Sequence, residues 1–385
     1  MKNTDKIYFK GLDSLRALGA LAVLIGHIEL SKKGFNIPNL MELSFFKNTS
    51  GHLGVILFFV LSGFLITFLL LKELEVYKTV YIKNFYIRRA LRIWPIYYLM
   101  VLLLFFVFPF LTELEYFGKP DLNNLPSITP TLVIYLLLVP NFVSFGITGL
   151  GGGFHLGTIG TEEQFYLIWP WFVKYFKGVY FLIILFIIII SIPALPHMCD
   201  YFAFNYFAPN TKAFILLKQF GNFFTYFKIN CMAIGGLFAW LYYNNKQFFL
   251  KILYHKAMQG VALIVGLGGW LVGFHVPFLN DEFYAILFAI IILNTATNES
   301  KLLTFDYKIT NYLGKISYGI YVYHWVIIYS TMSVFWSLKE QNVWFNIAVY
   351  SISFLGTVAI SHLSYFYFEL WFLKFKDRFA KIKTT

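Results

Sequence analysis

Two ionisable side chains, Arg16 and His27, lie eleven residues apart in the apolar run 12–30. On an α-helix, that separation returns to nearly the same face and spans about 16 Å along the axis. An imidazole has an ordinary pKa of about 6.5, so it can accept a proton near neutral pH. Ionisable groups inside a membrane helix usually face a cavity and function there. The run therefore predicts a helix that carries a reactive group, the alternative being a signal anchor with incidental polar residues.

Three arginines, Arg88, Arg89 and Arg92, precede the apolar run 93–111, in which Pro95 is expected to occupy the first helical turn. Arg89 and Arg92 are three residues apart, so on a helix they share one face that can bind phosphate oxygens in a bidentate manner. This pattern predicts a binding site for a phosphate-bearing donor. The alternative is that the arginines only orient the chain in the membrane.

Two adjacent carboxylates, Glu162 and Glu163, lie near the start of the run 160–176. Helix geometry points them about 100° apart, so only one of them can face a given partner. A carboxylate beside His27 would hold the imidazole in one tautomer, as the acidic member of a hydrolase triad does. We therefore expect Glu162 to contact His27, the alternative being a solvated pair at a helix N-terminus, where the dipole favours acidic groups.

Several other polar residues lie in apolar surroundings. Glu369 is expected to need a basic partner, and His324 is expected either to pack among aromatic rings or to face the site. Ser62 and Gly63 interrupt the run 52–71, which indicates close helix packing or the approach of a ligand to the backbone. The remaining candidates are Asp13, Tyr166, Lys315, Ser317 and Tyr318, the last three on the same span as His324.

The sequence contains no P-loop, GxSxG, HExxH, GxGxxG or EF-hand spacing. Its other histidines and its two cysteines lack the spacing of metal ligands. We therefore expect no metal site and no permanently bound cofactor.

The composition indicates what kind of element positions these residues. Of 385 residues, 59% are hydrophobic and 13% are charged, and the mean hydropathy is +0.67, which is outside the range of soluble domains. The net charge of +12 falls in short basic clusters between apolar runs, as in cytoplasmic loops, and does not indicate a nucleic-acid partner. The chain is therefore predicted to be a polytopic membrane protein that contacts lipid.

About ten apolar runs are long enough to cross a bilayer. They are 12–30, 52–71, 93–111, 160–176, 178–196, 222–243, 258–276, 282–298, 313–336 and 343–373. An eleventh run, 129–145, is interrupted by Pro140 and Asn141 and is predicted to form a partial or in-plane helix. Basic residues near both chain ends predict cytoplasmic termini. The expected fold is an all-α polytopic transmembrane helix bundle that forms a single membrane domain over 1–385.

Five segments together resemble the acyltransferase 3 family of integral membrane enzymes. They are GLDSLRALGALAVLIGH, GVILFFVLSGFLI, RRALRIWP, TEEQFYLIWP and GKISYGIYVYHW, in family order. The resemblance implies a stand-alone acyltransferase domain without a fused soluble domain, in a bacterial inner (plasma) membrane. It implies O-acyl transfer, usually of acetyl, from cytosolic acyl-CoA to a hydroxyl of an extracytoplasmic or membrane-attached glycan or glycolipid.

The resemblance also implies roles for particular residues. His27 would be the essential histidine and Arg16 its paired arginine, with Arg89 and Arg92 binding the donor and Glu162 as the acidic residue. The sequence leaves open whether His27 acts as a base or carries the acyl group transiently. A transporter or flippase that uses the same buried charges as a proton or substrate pathway is the alternative from another class.

Overall fold

The computed structural model describes residues 7–35, 37–40, 50–108, 125–145, 153–336 and 343–382, and all structural statements below concern those residues. They form helices joined by turns, with no β-strand longer than one residue. The all-α prediction is confirmed.

The first part of the chain contains eight helices and one 3₁₀ segment among the described residues. They are α1 (Leu12–Gly34), α2 (Ser50–Tyr77), α3 (Ile82–Phe106), α4 (Leu125–Leu136), the 3₁₀ segment Pro140–Phe145, α5 (Leu156–Tyr175), α6 (Gly178–Tyr206), α7 (Lys212–Tyr226) and α8 (Ile229–Tyr243).

The second part begins with α9 (Gln247–Tyr254) and α10 (Lys256–Val261), which continues as a π-helix, Ala262–Gly268, and a last turn, Gly269–Leu271. The helices that follow are α11 (Asn280–Thr297), α12 (Lys308–Lys315), α13 (Ser317–Trp336) and α14 (Val343–Ser364). A second π-helix, Tyr365–Glu369, then leads into α15 (Leu370–Lys376) and the 3₁₀ turn Asp377–Phe379.

Six helical stretches are long and apolar enough to cross a membrane. They are Leu12–Gly34, Gly51–Tyr77, Ile82–Phe106, Gly178–Tyr206, Lys212–Tyr243 and Val343–Phe379, and a pair bent by 57°, Gln247–Tyr254 with Lys256–Leu271, makes a seventh if it is counted as one span. The predicted runs 160–176, 282–298 and 313–336 also form helices, but they are not among these six. The chain is a multi-pass helical protein, and the count of ten spans stays a prediction.

Two local predictions about helix boundaries were wrong. Helix α3 begins at Ile82, so Pro95 lies inside the helix and the three arginines lie on its first half. A membrane helix tolerates an internal proline because neighbouring groups satisfy the carbonyl that it leaves unbonded. The run 313–336 is divided at Ile316, which places Lys315 at the end of α12 and Ser317 and Tyr318 at the start of α13.

The helices form two compact units. The first unit runs to Arg92 and resumes at Ile234, and the second comprises Ile93–Ala233. The single domain over 1–385 stays a prediction. We describe each unit by itself.

In the first unit, α1 packs against α2, α12, α13 and α14. Glycines permit the closest of these approaches: a Cβ on Gly54 of α2 would lie 2.6 Å from the carbonyl oxygen of Gly19, and a Cβ on Gly314 of α12 would overlap the carbonyl of Asp13. One apolar cluster joins α1 to α12 and α13 through Ala17, Ala20, Leu313, Ile316 and Ile320. Helix α1 is therefore fixed closely against its neighbours.

Candidate active site

The imidazoles of His27 on α1 and His324 on α13 form a hydrogen-bonded pair. His27 Nδ1 lies 2.7 Å from His324 Nε2, and the ring planes are 11° apart. The indole of Trp325 stands at 80° to the His27 ring, with centroids 4.6 Å apart. His324 is 1% exposed, whereas His27 is partly exposed.

A second contact fixes which nitrogens carry protons. His324 Nδ1 lies 2.6 Å from the main-chain carbonyl oxygen of Tyr321. Because a carbonyl can only accept, His324 Nδ1 carries the hydrogen, and the Nε2 of the neutral ring accepts from His27 Nδ1. His27 Nε2 then bears the lone pair. In this tautomer, Nε2 is the ring atom of His27 that can accept a proton or attack a carbonyl carbon.

The other end of α1 carries Arg16, which was predicted to share a helix face with His27. Arg16 is hydrogen-bonded and ion-paired to Asp13, one turn earlier. Ser14 holds this end against α12, because its hydroxyl lies 2.6 Å from Thr310 Oγ1 and donates to Asn311 Oδ1 at 2.8 Å. The helix face that Arg16 shares with His27 thus has an ion pair at one end and an imidazole pair at the other.

Glu369 lies in the π-helix that follows α14 and is 7% exposed. Its carboxylate accepts a hydrogen bond from the Ser364 hydroxyl at 3.2 Å and lies within range of the Arg92 charge. The expected basic partner of Glu369 stays a prediction. Tyr365 packs against the apolar cluster that contains Ala17 and Ala20, so this region adjoins the Arg16 end of α1.

Lys376 at the end of α15 adds a cation that the sequence analysis did not include. Its ammonium lies within electrostatic range of Arg88, Arg89 and Arg92 and of the Asp377 carboxylate. Lys376 belongs to the basic C-terminal tail, and basic residues in such a tail usually indicate only the orientation of the chain in the membrane. The structure thus groups cations from α3 and α15.

Protein groups engage the guanidinium of Arg88. It donates to the carbonyl oxygen of Phe379 at 2.8 Å and lies 3.4 Å from Glu73 Oε2. Glu73 is 1% exposed and also accepts from the Tyr81 amide at 2.7 Å. Arg88 therefore anchors the turn after α15, while the donor-binding role assigned to Arg88, Arg89 and Arg92 stays a prediction.

A second ion pair on α1 was missed by the sequence analysis. Glu29 and Lys32 are one turn apart, with Lys32 Nζ 2.8 Å from Glu29 Oε1, and both are almost completely buried. The Tyr350 hydroxyl of α14 donates to the same Glu29 oxygen at 2.6 Å. The spacing of an acid three residues before a base was visible, but this spacing is common on solvated helix faces.

The second unit contains the predicted carboxylates on α5. Because α5 begins at Leu156, Glu162 and Glu163 lie in its second turn, and no acidic residue lies in its first turn. Both are partly buried, and Glu163 accepts from the indole of Trp94 at 3.1 Å. The predicted contact of Glu162 with His27 stays a prediction.

The run 129–145 forms a short helix and a 3₁₀ segment held by side chains of this second unit. The amides of Asn141 and Gln164 exchange two hydrogen bonds of 3.1 and 2.9 Å. Tyr97 and Tyr98 of α3 donate to carbonyls at the end of α4 at 2.8 and 2.9 Å. The interruption at Pro140 and Asn141 therefore marks a change of helix type.

The remaining candidates have varied surroundings. Ser317 and Tyr166 are buried, Lys315 is exposed, and Tyr318 is partly buried. On α2, Gly63 is buried and Ser62 is partly exposed. Their predicted roles stay predictions.

The molecule is a multi-pass helical membrane protein, because several of its helices are long and apolar enough to cross a membrane. Its first unit contains a hydrogen-bonded imidazole pair. Residues 9–366 match the acyltransferase 3 family, described as an acyltransferase domain. The chain belongs to that family.

Two characterised relatives have similar sequences. The peptidoglycan O-acetyltransferase OatA of Listeria monocytogenes is 27% identical over 414 residues, covering 98% of this chain and 60% of the relative. The O-acetyltransferase OatA of Staphylococcus aureus is 27% identical over 379 residues, covering 94% of this chain and 57% of the relative. This chain therefore spans about three fifths of the length of these relatives. No solved structure matches it significantly.

Proposed function

We propose that this protein is a membrane O-acetyltransferase that moves an acetyl group from cytosolic acyl-CoA to a hydroxyl of an extracytoplasmic glycan. Family membership supports acyl transfer, and the similarity to the peptidoglycan O-acetyltransferase of Listeria monocytogenes supports a glycan acceptor. The observation that carries the proposal is the hydrogen-bond chain from the Tyr321 carbonyl through His324 to His27, because it directs a lone pair onto His27 Nε2.

His27 Nε2 performs the chemistry in one of two ways. As a base, it takes the proton of the acceptor hydroxyl while that oxygen attacks the thioester carbonyl, and it then returns the proton to the departing thiolate. As a nucleophile, it displaces the thiolate to form an acyl-imidazole. The acceptor hydroxyl then attacks the acyl carbon, the acyl–nitrogen bond breaks, and the hydroxyl proton passes to Nε2 and from there to the thiolate. In both routes His324 holds the His27 tautomer and stabilises the charge that develops on its ring.

The donor phosphates bind at the cations of α3 and α15. Arg89, Arg92 and Lys376 supply this site, and Arg88 holds the turn after α15 in place. A cluster of cations favours the binding of a polyanion, because the repulsion between the cations falls when phosphate oxygens lie between them. The acyl-pantetheine arm then extends past Arg16 along α1, over about 16 Å, to His27.

This route requires an orientation in the membrane. The N-terminal end of α1 and both chain termini lie in the cytoplasm of a bacterial cell, and His27 lies toward the outer face of the plasma membrane. Ten crossings would place both termini on one side. Reporters fused before Leu12 and after Lys376 test this orientation, and we expect a cytoplasmic signal from each.

The central test uses membranes that contain the full chain and radiolabelled acetyl-CoA. We expect His27→Ala to abolish label transfer to glycan, while membrane insertion and thermal stability match the wild type. The control is His275→Ala, since His275 is exposed and lies in the loop before α11. Transfer retained in His27→Ala would contradict the proposal, and substrate flux without covalent label would support a transporter.

The two chemical routes differ in one further measurement. Without acceptor, the nucleophilic route leaves label on the protein that hydroxylamine removes, and His27→Ala lacks it. The base route leaves no such label, although transfer to glycan still depends on His27.

A further inference from the structure

The Glu29 carboxylate is completely buried, at 0% exposure, and accepts three hydrogen bonds. The donors are the Lys32 ammonium at 2.8 Å, the Tyr350 hydroxyl at 2.6 Å and the main-chain amide of Leu40. These groups come from α1, from α14 and from the segment after α1. The Lys32 ammonium also lies 5.9 Å from the centroid of the Tyr350 ring.

A buried ion pair of this kind contributes little net stability. Removing two charges from water costs several kcal/mol for each ion, and well-packed apolar residues often stabilise such a position equally well. In a membrane helix the penalty falls on groups that usually have a function. Glu29 and Lys32 take no part in the proposed chemistry, so another role accounts for their presence.

The position of Glu29 relative to His27 indicates that role. The two residues are two positions apart on α1, which places them about 200° apart around the axis and about 3 Å apart along it. His27 contacts His324 on α13, whereas Glu29 contacts Tyr350 on α14. The two contacts lie on opposite faces of α1, at nearly the same position along its axis. Together they fix the rotation of α1 about that axis.

The apolar residues at this level connect the same three helices. Leu24 and Ile28 of α1 pack in one cluster with Ile328 and Met332 of α13 and with residues of α14 and the segment after α1. Apolar packing resists separation of helices but is not directional, whereas a hydrogen bond to a buried carboxylate is directional. The hydrogen bonds of Glu29 therefore supply the rotational constraint that the cluster lacks.

We propose that Glu29, Lys32 and Tyr350 form a positioning cluster that sets the hydrogen bond between His27 Nδ1 and His324 Nε2. The Tyr350 hydroxyl and the Leu40 amide hold the Glu29 side chain, and Lys32 neutralises its charge. This inference rests on the proposed function, because it assigns the cluster to the geometry of the transferring imidazole. The cluster itself touches no substrate.

The test compares variants by the kcat and the KM for acetyl-CoA. Tyr350→Phe removes one hydrogen bond and keeps the ring, so we expect kcat to fall on the order of tenfold, since small misplacements of a reacting group reduce rates strongly. The KM for acetyl-CoA should stay unchanged, because the donor phosphates bind at the other end of α1.

A second variant removes the buried charges but keeps the hydrogen bond. The double variant Glu29→Gln with Lys32→Met keeps an acceptor for Tyr350 and should retain most of the wild-type kcat.

The chain offers a matched control for the ion pair. Lys72 and Glu75 on α2 have the same spacing and the same 2.8 Å separation, but their side chains are 38% and 48% exposed. Lys72→Met with Glu75→Gln should leave kcat and KM as in the wild type.

A double-mutant cycle separates positioning from a general structural effect. If the cluster acts through the imidazole pair, Tyr350→Phe causes no further loss of kcat once His324→Phe has removed the partner of His27. Equal losses in both backgrounds, an unchanged kcat in Tyr350→Phe, or a raised KM for the donor would each overturn the inference. Those outcomes require an active wild type that depends on His27, so they are distinct from failure of the proposed function.

Discussion

The two ends of α1 differ in how their charges are compensated. At the C-terminal end, Glu29 and Lys32 neutralise each other and the two imidazoles form a directed chain of hydrogen bonds. At the N-terminal end, Arg16 is paired with Asp13, Arg88 with Glu73, and Lys376 lies within electrostatic range of Arg88, Arg89, Arg92 and Asp377. At one end the titratable side chains are hydrogen-bonded to one another, and at the other the five basic residues described above exceed the four acidic ones by one.

This difference indicates different tasks for the two ends. A region whose donors and acceptors are already paired holds a geometry, which suits a group that must be aligned for reaction. A region with an excess of cations attracts an anion from solution and binds it more weakly as salt increases. We therefore expect mutations at the C-terminal end to lower kcat and mutations at the N-terminal end to raise the KM for the donor.

The largest effect is expected at the imidazole pair. His324→Phe should lower kcat by about 10²-fold, because His27 loses the acceptor that fixes its tautomer. His324→Gln should lose less, since its amide oxygen can accept from His27 Nδ1. The measurement is single-turnover transfer from acetyl-CoA, with His362→Phe on α14 as the control. Equal losses in the Gln and Phe variants would break the proposed hydrogen-bond chain.

A smaller effect of a different kind is expected at the cation cluster. Arg92→Gln and Lys376→Gln should each raise the KM for acetyl-CoA about tenfold with little change in kcat, because each removes a charge-assisted hydrogen bond to phosphate. Lys251→Gln on α9, an exposed lysine, is the control. Steady-state kinetics at several ionic strengths provide the measurement, and KM should rise with salt in the wild type. A fall in kcat at constant KM would contradict the division of tasks between the two ends.

The smallest effect on catalysis is expected where α1 meets α12. Gly314→Ala should lower the free energy of unfolding by about 1–3 kcal/mol, because the added methyl group overlaps the Asp13 carbonyl. Gly260→Ala is the matched control, since a Cβ there meets nothing within 4 Å. Thermal unfolding in detergent measures the difference. Equal stability of the two variants would show that the N-terminal end of α1 is less tightly held than the structure indicates.

The sequence predicted the helices better than it predicted their boundaries. The run 12–30 is almost continuously apolar, so its helix was evident, and it ends four residues later at Gly34. Helix α3 begins earlier than predicted because residues 82–92 mix apolar and basic side chains, which a search for apolar runs excludes. The two carboxylates of α5 were expected at a helix start because the glycines and threonines of 156–161 interrupt the apolar run.

Within the candidate site, the sequence determined the residues that share one helix. The period of an α-helix is fixed, so the common face of Arg16 and His27 and that of Arg89 and Arg92 follow from their spacing alone. Only the tertiary structure decided which residues of different helices meet. His324 is almost 300 residues from His27, and Lys376 is nearly as far from Arg89 and Arg92. Such contacts depend on how whole helix surfaces pack, and neighbouring positions along the chain contain little information about that packing.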